Sequence, residues 1–107
     1  MEITDYGFFR AMPERPRIRL LRFENEKGED WYDLRRTLTE WEPDTGEFIS
    51  AIFPTWAMVD ERGVVTNVEY DPSRLMPGDR RVLGIEAPLE DVHPGMIYRD
   101  GQLEEPE

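Results

Sequence analysis

Thr55-Trp56-Ala57-Met58-Val59-Asp60-Glu61-Arg62-Gly63-Val64-Val65-Thr66-Asn67-Val68-Glu69-Tyr70 is the stretch whose reading decides the fold. Two runs rich in aromatic and branched residues flank Asp60-Glu61-Arg62-Gly63, a turn sequence that returns one strand antiparallel to the other. In the second run Val64, Thr66, Val68 and Tyr70 line one side of a strand, and Val65, Asn67 and Glu69 the other. This hairpin points to a β-rich domain.

Working outward, Glu42-Pro43-Asp44-Thr45-Gly46-Glu47 is a turn, and Phe48 to Phe53 is a further β-prone run. Pro54 cannot donate a ladder hydrogen bond, so the chain reaches an edge or a corner there. Downstream, Asp71-Pro72-Ser73-Arg74-Leu75 places a capping acid before a proline at the first helical position, which predicts one helical turn, ended by Pro77-Gly78. Arg81 to Glu86 reads as a short strand. Met96-Ile97-Tyr98, Asp100-Gly101 and Gln102-Leu103 read as a last small hairpin. Upstream, Arg17 to Phe23 reads as a half-buried strand with Ile18 and Leu20 on one face, followed by a polar turn, Glu24 to Asp30, centred on Gly28. Trp31 to Leu38 has two readings: a strand pairing back, or a short helix, since Leu34, Leu38 and Trp41 fall at three-to-four spacing.

These signals predict a mainly β single domain of seven or eight short, mostly antiparallel strands, sandwich or open barrel-like, with one short helical turn. Residues 1–16 are expected to form an irregular arm anchored by Phe8 and Phe9, residues 17–103 the domain, and residues 104–107 a frayed acidic tail.

At 107 residues the chain has the size of one domain. It contains no cysteine, so disulfides, thiolate zinc sites and thiol nucleophiles are excluded. No apolar run approaches the roughly 20 residues that span a bilayer, and no basic-then-apolar export signal opens the chain, so no membrane partner is expected. Twenty-four acids against 13 bases give a formal net charge of -11, which makes duplex nucleic acid a poor partner. Only Arg10 to Arg22 is locally basic. The single histidine, His93, lies in Asp91-Val92-His93-Pro94-Gly95, a turn sequence, and no second histidine or cysteine is available to build a metal site with it. Adjacent acids such as Glu29 and Asp30 diverge along a strand, Ser50 and Ser73 lack a His-centred partner, and the glycines form no phosphate loop. No catalytic residue, metal or cofactor is expected.

What distinguishes the chain is its aromatic residues. Trp31 and Tyr32 are adjacent, and in an extended segment they point to opposite faces, so one core cannot hold both. The outward ring either packs under a loop or forms a recognition surface. Trp31, Tyr32, Trp41, Trp56, Tyr70 and Tyr98 are the candidate contact residues, because Trp and Tyr bury a large area while keeping a polar handle.

Several of these segments together resemble a known family. Phe23 to Asp33, with its Gly28-Glu29-Asp30-Trp31-Tyr32 core, is similar to the early "DG-x-x-WY" segment of the phage tail fibre assembly proteins. Asp60 to Gly78 resembles that family's hairpin and its Ser-x-Leu-x-Pro turn. Val82 to Glu86 and Met96 to Gly101 resemble its "V-x-E" strand and its final aromatic hairpin, all in family order over most of residues 17–103. Many relatives continue into a long polar region, so the resemblance is to the amino-terminal domain of the family, and Trp41 to Trp56 departs from its pattern. The resemblance implies a non-enzymatic chaperone or accessory factor. Such proteins bind the distal part of a trimeric tail fibre, assist its folding and trimerisation in the host cytoplasm, and in some members stay on the virion tail. It places Trp31 and Tyr32 in the matching motif, as either a satellite core or the contact surface, and together with the aromatic reading above the expected protein-binding residues are Trp31, Tyr32, Trp41, Trp56 and Tyr98. The alternative is an acidic phage-borne inhibitor that mimics nucleic acid and blocks a host defence protein. Mimicry calls for one acidic ridge at phosphate spacing, and fibre binding for mixed charge beside an exposed aromatic patch.

Overall fold

The structure, a computed structural model, describes residues 1–12 and 22–106. The domain is mainly β, as the sequence predicts, with nine strands among the described residues. Of the strand expected at Arg17 to Phe23, residues 17–21 lie outside the described residues, and Phe23 opens a two-residue strand.

Its frame is an open antiparallel sheet in the order β2 (Phe23–Glu24), β1 (Glu2–Ala11), β7 (Arg80–Glu86), β5 (Thr55–Val59), β6 (Val65–Glu69). Two small two-stranded sheets accompany it: β3 (Thr39–Trp41) with β4 (Phe48–Ala51), and β8 (Ile97–Arg99) with β9 (Gln102–Glu104). One helix, α1 (Trp31–Leu38), precedes β3.

The sheet is buried on both faces. Side chains alternate along a strand, so Trp56 and Met58 of β5 and Val82 of β7 enter one core with Phe9, Phe23, Trp31, Leu38 and Leu75. Ala57 and Val59, with Leu83 and Ile85, enter a second core with Val65, Ala87, Val92 and Met96. All five residues of β5 are therefore buried. Helix α1 covers the first face and the β8–β9 hairpin the second.

Residues 2–11, expected within an irregular arm, form the long strand β1 instead. Its alternation is hidden by a bulge: Asp5 pairs with Leu83 and Phe8 with Arg81, so two residues face one. Tyr6 and Phe9 consequently reach the same core three positions apart. Gly7 at the bulge has φ of 100°, and a Cβ there would stand 2.7 Å from Glu26 Oε1. The tail is also better tied than expected, since Glu104 closes β9 and Glu105 meets His93.

Of the two readings of Trp31 to Leu38, the helix is the one formed. Asp30 caps it, its Oδ1 accepting from Asp33 N at 3.1 Å, and Trp31, Leu34 and Leu38 share the core side. The turn at Glu42 to Glu47 joins β3 to β4, and Pro54 marks the corner where the chain leaves that hairpin for the main sheet. The Asp60–Gly63 turn joins β5 to β6, with Gly63 at φ of 83° and its N–H bonded to Asp60 O. Asp71 caps the expected short turn, Pro72–Arg74. Asp100 and Gly101 both have positive φ, which fits the tight right-twisted turn between β8 and β9.

Gly84 in β7 lies against the face of Phe53, and a Cβ there would overlap the ring, 2.8 Å from its Cε2. Phe53 in turn meets Trp56 edge-on at 5.5 Å, and Tyr6 stacks on Trp56 at 5.7 Å. Gly84→Ala is expected to destabilise the domain by about 1–3 kcal/mol through overpacking. The added substitution Phe53→Leu is expected to recover part of that loss in urea unfolding, and equal midpoints for G84A and wild type would refute the contact.

Candidate functional site

The structure separates the six candidate contact residues predicted from the sequence into interior and surface. Trp31 and Trp56 are wholly buried, which corrects their assignment as binding residues. Trp31 sits at the start of α1, donates from Nε1 to Leu75 O at 3.2 Å and meets Phe9 edge-on at 5.5 Å. Trp56 donates from Nε1 to Phe53 O at 3.0 Å. A ring of this size buries about 150–250 Å², on the order of 4–6 kcal/mol of gross transfer energy, so both belong to the core. Tyr32 is half-buried: it packs on Phe23 at 6.2 Å, with the Arg35 guanidinium 4.7 Å from its ring centre. Of the adjacent pair, Trp31 faces the core and Tyr32 packs as a satellite.

Trp41 is different. It is 40% exposed and forms a strip with Phe48 and Tyr70, at ring separations of 5.4 Å and 5.9 Å. The strip is built by cross-strand pairing of Trp41 with Phe48 at a bulge in the β3–β4 hairpin. Tyr70, 48% exposed, extends it from the end of β6, and Arg74 stands 5.6 Å from the Tyr70 ring centre. Ile49 and Ile52 of the same segment are exposed. Phe48 was missed in the sequence because its partner lies across a turn, and only the symmetry of aromatics about Pro43-Asp44-Thr45-Gly46 hinted at it.

Tyr98 belongs to a second feature, a groove of about 750 Å³ between β1, the Glu24–Glu26 segment and the Asp60–Gly63 turn. Its hydroxyl donates to Asp5 Oδ2 at 3.1 Å, and Arg81 Nη1 donates to both Asp5 oxygens at 2.9 and 3.0 Å. Burial, with the neighbouring Asp5 charge, raises the Tyr98 pKa above its ordinary value. Carboxylates of Glu24, Glu26, Asp60 and Glu61 share the groove with Arg10 and Arg81, so its charge is mixed.

The charged turn after Phe23 is a clip on the edge of β1. Asn25, buried, donates from Nδ2 to Tyr6 O at 2.8 Å and Glu29 Oε1 at 2.9 Å, while its Oδ1 accepts from Lys27 N and Glu29 N. Glu26 accepts from Phe8 N at 3.1 Å. Side chains thus occupy backbone groups that a further strand would otherwise take. Among the described residues no group of three or more His, Cys, Asp or Glu is gathered as metal ligands, every buried side-chain nitrogen and oxygen has a hydrogen-bond partner, and no helix is long and apolar enough to cross a membrane. His93 lies exposed, with Nδ1 2.9 Å from Pro94 O and Nε2 2.7 Å from Glu105.

No family model matches the chain, and neither a curated protein nor a solved structure is significantly similar to it.

Asn25→Ala removes four hydrogen bonds around a buried position and is expected to cost about 1–3 kcal/mol in thermal or urea unfolding, since it leaves the Tyr6 carbonyl and two turn N–H groups without that partner. A loss below about 0.5 kcal/mol would show that the clip does not hold β1. The contacts to the Pro94 carbonyl and then Glu105 raise the His93 pKa. Any stability this adds is present below the ordinary histidine pKa and lost as pH rises through the raised value. An NMR titration is expected to place His93 above a model peptide and Glu105→Gln to lower it; identical titration in both proteins would refute the pair.

Proposed function

We infer that this protein is a non-catalytic phage tail protein that binds the distal tail fibre and assists its folding and trimerisation. The observation that carries the reading is the strip of Trp41, Phe48 and Tyr70, in which the Trp41 and Tyr70 rings are exposed. Rings packed edge-on and tilted against one another lose little side-chain freedom on binding, which suits them to be anchors. A trimeric fibre exposes apolar strands and unpaired edges before it closes, and a partner that covers them suppresses aggregation. The ordered sequence resemblance over residues 17–103 supplies the partner. The groove's acids are interleaved with Arg10 and Arg81, which favours this reading over nucleic-acid mimicry by a single acidic ridge.

The contact residues in this reading are Trp41, Phe48 and Tyr70, with Trp31 and Trp56 in the supporting core. The test is co-expression with the tail fibre of the same genome. Wild-type protein is expected to raise the yield of soluble trimeric fibre and to co-elute with it. The Trp41→Ala, Tyr70→Ala double variant is expected to keep its far-ultraviolet circular dichroism and weaken the complex by about 30-fold or more, the loss typical of a central aromatic anchor. Equal fibre yield without the protein, with no complex on size-exclusion chromatography, would end the proposal.

A further inference from the structure

We propose that the outer edge of β6, from Thr66 to Tyr70, takes up an extended segment of the partner as an added antiparallel or parallel strand, with the Trp41–Phe48–Tyr70 strip receiving side chains of that segment. This rests on the fibre-binding reading and specifies how the fibre is held. β6 is the last strand on its side of the main sheet. In a ladder every second residue turns its N–H and C=O away from the neighbouring strand, so a terminal strand offers a row of bonding groups.

The first part of this edge already shows what it accepts. Val65 N donates to Met96 O at 2.8 Å, Gly95 N to Val65 O at 2.8 Å and Tyr98 N to Gly63 O at 2.7 Å, and Val64 bridges Ile97 in antiparallel sense. The chain's own β8 segment is thus seated on Gly63 to Val65. Beyond Val65, among the described residues, no backbone group of residues 66–70 bonds outward. The contrast with β1 is informative: there the side chains of Asn25 and Glu26 occupy the edge at Tyr6 and Phe8. At β6 no such clip is present among the described residues, and the edge runs directly into Tyr70, whose ring is packed at a tilt against Phe48. Unpaired backbone beside exposed rings specifies an extended occupant: main-chain bonds supply affinity, and rings select alternate side chains.

Amide exchange measured by NMR on the intact chain, alone and with the purified distal fragment of the tail fibre, tests the proposal without any substitution. Outward-facing amides within residues 66–70 are expected to slow by roughly ten-fold or more in the complex, as newly paired backbone does. A complex that protects other amides and leaves these unchanged overturns the edge while leaving fibre binding standing. Absence of any complex on size-exclusion chromatography overturns both. Protection that appears without fibre as the protein concentration rises assigns the edge to a second copy of the chain and likewise overturns the proposal.

Discussion

The rest of the structure depends on the pairing of β5 with β7, Thr55 to Val59 against Arg81 to Ile85. Both strands lie in the sheet interior, so each successive side chain must find apolar surroundings on one face or the other. One sheet thereby builds two cores, with helix α1 closing the first and the β8–β9 hairpin the second. The first face needs large rings and takes Trp31, Trp56, Phe9 and Phe23; the second takes branched residues from β6, β7 and the segment before β8. Gly84 is the point of closest approach, because only a missing side chain lets Phe53 lie against β7 and Trp56.

Edges are treated unequally around this frame. On the β1 side a bulge, a two-residue strand and the Asn25–Glu26 clip occupy the backbone. On the β6 side, among the described residues, the β8 segment covers only Gly63 to Val65. The exposed aromatic strip lies at that less protected side, joined to it through Tyr70. A net charge of -11 repels like-charged copies, which opposes self-association through an exposed aromatic surface. The corner at Pro54 is what makes this surface possible, because it carries the β3–β4 hairpin away from the main sheet and leaves Trp41 outside either core.

Much of this was legible along the chain, element by element. The Asp60–Gly63 turn, the Asp71-Pro72 cap and the Asp100-Gly101 turn are local devices in which a few neighbouring residues decide the backbone. β1 was not legible, because its bulge shifts the alternation by one residue and Tyr6 and Phe9 no longer match a period of two. Trp31 and Tyr32 were readable as an aromatic pair that a single strand face could not hold. Their resolution, a helix start with Trp31 inside, depended on Asp30, which closes the turn by bridging Glu24 and also caps the helix.

The sequence by itself determined a mainly β single domain without cysteine chemistry, its turns and caps, and an aromatic surface set in an acidic chain. Only the tertiary structure decided which rings are buried. Trp31 is inside because Leu75, 44 residues away, accepts its N–H, and Trp41 is outside because its hairpin leaves the sheet at Pro54. Turns are decided by contacts between near neighbours, whereas burial is decided by residues far apart in the chain, and no local pattern carries that information.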